Sequence, residues 1–247
     1  MQQTPELKNA VDNLYHVFEG YRLGPSTQAC SCCHSPENDQ RLRSKLLRKL
    51  GPEDLLKYSM DALYTWGGVS EFKHFLPRIL ELLTLVDTSK TSFVDPESVF
   101  GKLTYESSEA TPWRTWPTAE QAAISQYARA VWSAILESDP QELTDSVYDW
   151  LGAFAQAEGE LSPYLDKWLL ASSFNAHRNL ARMIIWDGVP NATRPSGGYW
   201  ATRKEQWQQL VDWLRRPEVK QKLASGLEKW SDSPSANELL DAAVLLP

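Results

Sequence analysis

The sequence predicts an all-α protein of about ten amphipathic helices, packed as an irregular bundle or as a short array that resembles helical repeats. Three observations lead to this prediction: prolines that follow capping residues, apolar residues spaced three and four apart, and the lack of any segment alternating apolar and polar residues. The 247 residues suffice for one large domain or two small ones. We expect a single helical domain over residues 1–247, with two lobes divided near residue 110 as the alternative.

Prolines mark the expected helix starts. In six dipeptides a proline follows a residue that suits a helix N-terminus: Thr4-Pro5, Gly51-Pro52, Asp95-Pro96, Asp139-Pro140, Ser162-Pro163 and Ser233-Pro234. Proline is favoured at the first helical position because the N–H that it lacks would have no intrahelical partner there. Thr, Ser and Asp side chains accept hydrogen bonds from the free N–H groups beside it. Each dipeptide therefore predicts the beginning of a helix.

Apolar residues are spaced for amphipathic helices along the whole chain. The stripes begin with Leu7, Val11, Leu14 and Phe18 and recur up to Trp207, Leu210, Val211 and Leu214. Steps of three and four place these side chains on one face of a helix, which can then be buried. The longest stripe runs from Val69 to Val86 and contains Pro77. We expect a kink or a new helix at this proline, because it removes a backbone hydrogen bond.

The chain is acidic, with a formal net charge of -7. Nucleic-acid-binding proteins usually carry a basic excess, so this charge argues against that class. It favours encounters with a basic partner. No apolar run reaches the ~20 residues that cross a membrane, and the first residues lack the charged and apolar regions of a signal peptide. We therefore expect a cytoplasmic protein without a membrane partner.

All three cysteines lie in one short segment, Cys30-Ser31-Cys32-Cys33-His34. Thiolates and imidazoles bind zinc well, so this segment is a candidate zinc site with four potential ligands: Cys30, Cys32, Cys33 and His34. A structural zinc normally takes a second pair of ligands from a distant segment, and the sequence has no second cysteine pair. Three other interpretations stay open: reduced cysteines folded under a loop, a redox pair, and covalent haem attachment, which would require export.

The composition is unusual in its eleven tryptophans. Tryptophan brings a large apolar area and one N–H donor to helix contacts or to a binding surface. Two loops hold aromatic residues that we expect to bind a protein partner: Trp113 and Trp116 in the first loop, Tyr199 and Trp200 in the second. In the alternative interpretation, the second loop folds as a lid onto the core.

No catalytic motif is evident. The sequence contains no Gly-rich phosphate loop, no Gly-x-Ser-x-Gly turn and no His-Glu-x-x-His helix. It therefore gives no reason to expect an enzyme, although it does not exclude one. A short basic face in residues 41–49 could contact phosphate groups, whereas in an acidic protein a solvated helix face is the more ordinary interpretation.

One segment resembles a family of uncharacterised bacterial helical proteins. It consists of Thr65-Trp66-Gly67 followed by Glu71-Phe72-Lys73-His74-Phe75-Leu76-Pro77-Arg78-Ile79-Leu80-Glu81-Leu82. The family shares an upstream cysteine pair, which Cys30 and Cys33 match, and a later Trp-Pro, which Trp116-Pro117 matches. The resemblance is clear over residues 30–86 and diffuse beyond them. It implies a bacterial, mostly helical protein, and it implies no activity, cofactor or catalytic residue.

The general character of the sequence also resembles immunity proteins, the acidic cytosolic partners that neutralise secreted antibacterial toxins. We therefore expect a non-catalytic protein-binding protein whose partner could be such a toxin. Two alternatives stay open: a zinc-binding or redox protein centred on Cys30 and Cys33, and a nucleic-acid-linked regulator that uses residues 41–49. The protein could also form a homodimer through an apolar helix face.

Overall fold

A computed structural model describes residues 1–25, 30, 35–85, 93–108, 110–189 and 200–246. These residues form twelve α-helices, and the only extended pairing among them is an isolated bridge between Ala62 and Trp66. The all-α prediction is confirmed, and the number of helices is close to the expected ten. Within the described ranges, no helix combines the length and the apolar character needed to cross a membrane.

The chain divides into two compact units. The N-terminal unit is Gln3–Val131, and the C-terminal unit is Trp132–Pro247 together with Met1–Gln2. The division falls inside the long helix α6, Thr118–Glu137, downstream of the position expected near residue 110. Each unit has its own buried core of aliphatic and aromatic side chains.

The N-terminal unit contains five complete helices and the first part of α6. The five are α1 Pro5–Val17, α2 Pro36–Arg43, α3 Pro52–Asp61, α4 Val69–Leu85 and α5 Pro96–Leu103. Four begin at a proline; the sequence predicts three of these starts, and the one at Pro36 is additional. Side chains cap α1 and α5: Thr4 Oγ1 accepts from the Leu7 N–H at 3.1 Å, and Asp95 Oδ1 accepts from the Ser98 N–H at 2.7 Å.

Helix α4 carries the longest apolar stripe and continues through Pro77 instead of ending there. Glu71 Oε2 accepts a hydrogen bond from the Gly68 N–H at 3.1 Å and so caps the N-terminus of α4. On its buried side, the Tyr127 hydroxyl of α6 donates to the Leu80 carbonyl at 2.7 Å. This bond to a helix carbonyl fixes α6 against α4.

The C-terminal unit contains the end of α6 and six further helices. They are α7 Val147–Ala157, α8 Ser162–Leu170, α9 Phe174–Trp186, α10 Lys204–Leu214, α11 Pro217–Lys229 and α12 Ala236–Leu245. The starts predicted at Asp139-Pro140 and Ser233-Pro234 are wrong, since a turn follows each of them. Asp139 Oδ1 accepts from the Gln141 N–H at 2.9 Å, which stabilises a turn rather than a helix.

Tryptophans form the centre of the core of the C-terminal unit. The ring of Trp168 stacks on Trp213 at a centroid distance of 5.5 Å and meets Trp132 edge-on at 5.3 Å. Two indole N–H groups donate to buried carbonyls: Trp132 to Tyr164 at 2.8 Å and Trp168 to Ala176 at 2.9 Å. These contacts join α6, α8, α9 and α10 through large apolar surfaces and pair the indole N–H groups of Trp132 and Trp168.

A buried lysine supports the end of a helix in each unit. In the N-terminal unit, Lys102 Nζ donates to the Met60 carbonyl at 2.8 Å and to the Ala62 carbonyl at 3.0 Å, at the end of α3. In the C-terminal unit, Lys222 bonds carbonyls at the end of α8 in the same way. The last carbonyls of a helix lack intrahelical partners and carry partial negative charge, so a cationic donor stabilises them.

Candidate functional site

Only one of the four predicted zinc ligands lies within the described residues. Cys30 is exposed and its N–H donates to the Thr65 carbonyl at 3.0 Å; Cys32, Cys33 and His34 lie outside the described residues. The sulfur of Cys30 is disulfide-bonded, and a disulfide sulfur does not act as a thiolate ligand. In this oxidised state Cys30 is therefore not a zinc ligand. Across the described ranges, no group of three or more His, Cys, Asp and Glu side chains could hold a metal ion.

Three of the four aromatic residues expected to contact a partner are core residues. Trp113, Trp116 and Trp200 are buried, and Tyr199 lies outside the described residues. Trp116 Nε1 donates to the Thr111 carbonyl at 3.0 Å, and Trp200 stacks on Tyr148 at 5.3 Å. Burial of these large rings stabilises the fold, so they are unavailable as exposed anchors. For Trp200 the lid interpretation is the better description.

The exposed tryptophan is Trp186, which is not among the predicted contact residues. It is the last residue of α9 and is 73% exposed. Helical periodicity gives no signal for this exposure, because Trp186 lies only about 60° around the helix from the buried Met183. Tryptophan and arginine are enriched among the residues that contribute most to protein binding. Trp186 is therefore a better candidate anchor than the buried rings.

A cavity of about 210 Å³ opens beside Trp186, and we call it the Trp186 pocket. Its lining combines apolar and polar groups from α9, the start of α7 and the turn before it: Pro140, Leu143, Val147, Met183, Trp186 and Asp187. The guanidinium of Arg182 also lines this pocket and lies 5.9 Å from the Trp186 ring. A pocket of this size has room for the end of one side chain.

Among the groups that line the Trp186 pocket, the Asp187 carboxyl has an unusually high pKa. Burial and the nearby negative charge of Asp149 raise the pKa of Asp187 to about 6. Its position at the end of α9 adds to this effect, because a helix C-terminus disfavours an anion. Among the described residues, no side chain donates a hydrogen bond to Asp187 or pairs with it. The pocket thus holds a carboxylate that lacks a cationic partner.

Replacing Asp187 with Asn is expected to stabilise the protein at neutral pH. A carboxyl whose pKa is raised on folding contributes stability when protonated, and this contribution is lost as the pH rises through about 6. We expect Asp187→Asn to raise the melting temperature by about 2–4 °C at pH 7 and to change it little at pH 4. Asp241→Asn, at an exposed carboxyl of α12, should leave the profile unchanged. Equal melting of Asp187→Asn and the wild type at both pH values would contradict the assignment.

Lys73 lies in the segment that resembles the bacterial family. With Glu120 and Tyr21 it forms a buried polar network in the N-terminal unit, which we call the Lys73 network. Lys73 Nζ lies 2.6 Å from Glu120 Oε2, and both side chains are 7% exposed. The Tyr21 hydroxyl donates to Glu120 Oε1 at 2.6 Å and accepts from Lys73 Nζ at 3.0 Å. The ammonium also lies 4.2 Å from the centre of the Trp116 ring. Because these charges are buried and paired with one another, the network does not present free groups to a ligand.

The basic face of residues 41–49 is largely neutralised by carboxylates. The ion pairs are Arg41–Asp54, Arg43–Asp39, Lys45–Asp54 and Arg48–Asp12, with distances between 2.6 and 3.3 Å. A phosphate group would have to compete with these carboxylates for the same cations. The arrangement therefore weakens the case for a nucleic-acid-linked regulator.

No family model, no curated protein and no solved structure matches this chain. The resemblance to a bacterial helical family over residues 30–86 therefore stays a prediction.

Proposed function

We propose that this chain is a non-catalytic protein-binding protein that contacts its partner through the Trp186 pocket. The observation that carries the proposal is the exposed indole of Trp186 beside a cavity and an unpaired carboxylate. Exposed tryptophans at the edge of a pocket are typical of the residues that dominate protein interfaces. The buried tryptophans are packed inside the core and are therefore not accessible to a protein partner.

The Asp187 carboxylate favours a partner with a basic side chain, because the Arg182 guanidinium of the same pocket is paired with Glu238 at 3.2 Å. A lysine or arginine that enters the Trp186 pocket would pair with the Asp187 carboxylate and lie against the indole face. It would supply the cation that this half-buried carboxylate lacks. The net charge of -7 also accelerates the encounter with a basic partner.

A secreted antibacterial toxin is the class of partner that we favour, which makes the chain an immunity protein. The acidic character of the chain and the absence of a recognisable catalytic motif support this proposal. An immunity protein needs only a stable scaffold and a complementary surface to block the toxin. The bacterial origin and the cytoplasmic location that this class implies stay predictions.

The test is the effect of Trp186→Ala on partner capture. Tagged wild-type protein and the variant are used as baits in an extract of the native cells, at low and at high salt. We expect a basic protein that is retained by the wild type and lost with the variant, and an affinity for the purified partner that falls by about 30-fold or more. Melting should be unchanged because Trp186 is exposed.

Leu240→Ala is the matched control, since Leu240 is an exposed apolar residue of another helix in the same unit. It should retain the partner. Loss of a self-association with Trp186→Ala, measured by light scattering, would instead identify a second copy of this chain as the occupant. Equal capture by the wild type and Trp186→Ala would contradict the proposed surface. The proposal of an immunity protein is tested in cells that express the captured protein. These cells should survive when the wild-type chain is co-expressed and should die when Trp186→Ala is co-expressed.

A redox role of the cysteine segment is the second candidate function. The disulfide at Cys30 supports it over zinc binding, because zinc needs thiolates. Thiol titration of the purified protein over a series of glutathione potentials tests this role. A cytosolic redox protein should exchange its disulfide near the glutathione potential, whereas a disulfide that resists all of these potentials would remove the candidate.

A further inference from the structure

A second cavity in the C-terminal unit is independent of the Trp186 pocket. It measures about 460 Å³ and lies between the end of α8 and one face of α11, and we call it the His177 pocket. Its walls combine apolar surfaces with a few polar groups: Leu170, His177, Glu218, Lys222, Lys229 and Trp230. Small-molecule sites have this volume and this mixture of apolar walls and few convergent polar groups.

Lys222 supplies a buried positive charge at this cavity. Its Nζ donates to the Leu169 carbonyl at 3.3 Å and to the Ala171 carbonyl. An ammonium has three N–H donors, so these two bonds leave one for a ligand. Burial lowers the pKa of Lys222 to about 8, which still leaves most of the amine protonated at neutral pH.

His177 supplies a hydrogen-bond acceptor. Its Nδ1 lies 2.7 Å from the Ser173 carbonyl, and because a carbonyl only accepts, Nδ1 carries the proton. Burial lowers the pKa of His177, so the ring is neutral at pH 7 and Nε2 has a lone pair. Within the described chain, no donor pairs with Nε2. A ligand that satisfies this acceptor must bring its own O–H or N–H.

The remaining groups of the cavity favour a ligand that has an aromatic ring and a negative charge. The ring of Trp230 meets His177 edge-on at 4.8 Å and forms an apolar wall. Leu170, which is exposed, lines the cavity as well. The ammonium of Lys229 lies 4.6 Å from the Trp230 ring and adds a second positive charge, against the single carboxylate of Glu218. The cavity therefore offers a net positive charge beside an aromatic surface.

We propose that the His177 pocket binds a small aromatic carboxylate that carries a hydroxyl or amine donor beside its carboxylate. The carboxylate accepts from the free N–H of Lys222 and pairs with Lys229. The neighbouring donor bonds Nε2 of His177, and the ring packs on Trp230 and Leu170. This small-molecule site goes beyond protein binding and does not depend on it.

Phenyllactate is the probe, because it combines an aromatic ring, a carboxylate and an adjacent hydroxyl. Calorimetry at pH 7 with the full chain should show saturable binding at one site. Phenylpropionate lacks the hydroxyl and phenyllactate methyl ester lacks the charge, and each should bind at least about tenfold more weakly. Lack of saturable phenyllactate binding, or equal affinity for the acid and its ester, would overturn the proposal.

Two variants locate the site. Lys229→Gln alters an exposed side chain and should weaken phenyllactate binding several-fold while leaving melting unchanged, whereas Lys220→Gln on the same helix, outside the cavity, should change neither. Lys222→Met should abolish binding, with circular dichroism to verify that the helices persist. Unchanged affinity in both Lys229→Gln and Lys222→Met would place the ligand elsewhere and overturn the assignment. Trp186→Ala should bind phenyllactate normally, which separates this outcome from that of the protein-binding proposal.

Discussion

Lys73→Met is expected to lower the free energy of unfolding of the N-terminal unit by about 3–5 kcal/mol. The substitution keeps the length of the side chain and removes its charge, which leaves the Glu120 carboxylate buried without a cation. The Tyr21 hydroxyl would still donate to Glu120, but one neutral donor does not replace an ammonium at 2.6 Å. The Trp116 ring would also lose the cation above its face.

Hydrogen exchange followed over Gln3–Val131 and Trp132–Pro247 separately is the appropriate measurement, since a chain of two units need not unfold in one step. Protection should fall in the N-terminal unit. The double variant Lys73→Met, Glu120→Gln should recover part of the loss, because no unpaired charge stays buried. Lys8→Met removes an exposed ion pair with Asp12 and should cost less than about 1 kcal/mol. If Lys73→Met lowered the stability no more than Lys8→Met does, the buried pair would not be a major contributor to stability.

Trp168→Ala is expected to destabilise the C-terminal unit by about 3–5 kcal/mol. The side chain is fully buried between Trp132 and Trp213, so its removal leaves a cavity and deletes one ring contact of each of these tryptophans. It also leaves the Ala176 carbonyl without the indole N–H that now bonds it at 2.9 Å. The lost hydrogen bond acts at the start of α9, the helix that ends in Trp186.

Denaturant unfolding combined with hydrogen exchange would show this loss in Trp132–Pro247. Trp168→Phe retains an aromatic ring and should cost less than Trp168→Ala, because it loses the N–H but fills most of the space. Trp186→Ala is the matched surface control and should leave stability unchanged, as its ring is exposed. If the two tryptophan-to-alanine variants were equally stable, the core assignment of Trp168 would be wrong.

The contrast between buried and exposed tryptophans bears on three of the predicted contact residues, which are core residues. A sequence with eleven tryptophans does not state which of them the core uses. Trp113, Trp116 and Trp200 occur in loops beside prolines and polar residues, which is typical of exposed segments, yet their rings lie in the core. The reason is that a loop can direct a large ring inward wherever neighbouring helices leave space for it.

The geometry of the candidate site could not be predicted from the sequence. Helical periodicity does not indicate the exposure of Trp186, because the buried Met183 lies three positions before it, on nearly the same face of α9. The unpaired state of Asp187 could not be predicted, since it depends on the distant Asp149 and on the donors that the fold leaves out of reach. The same holds for His177 and Lys222, which are far apart in sequence and share one cavity through the packing of α9 and α11.

The sequence by itself determined the fold class, four of the six predicted helix starts and the apolar faces, because these depend on residues within a few positions of one another: Thr4 caps α1, and Asp95 caps α5. The turn after Asp139 departs from this rule, as the carboxylate also bonds Arg178 of α9 at 2.9 Å. Only the tertiary structure decided which charges are paired, which tryptophans are buried and where cavities remain. Those properties depend on which helix faces meet, and local sequence patterns do not specify such contacts.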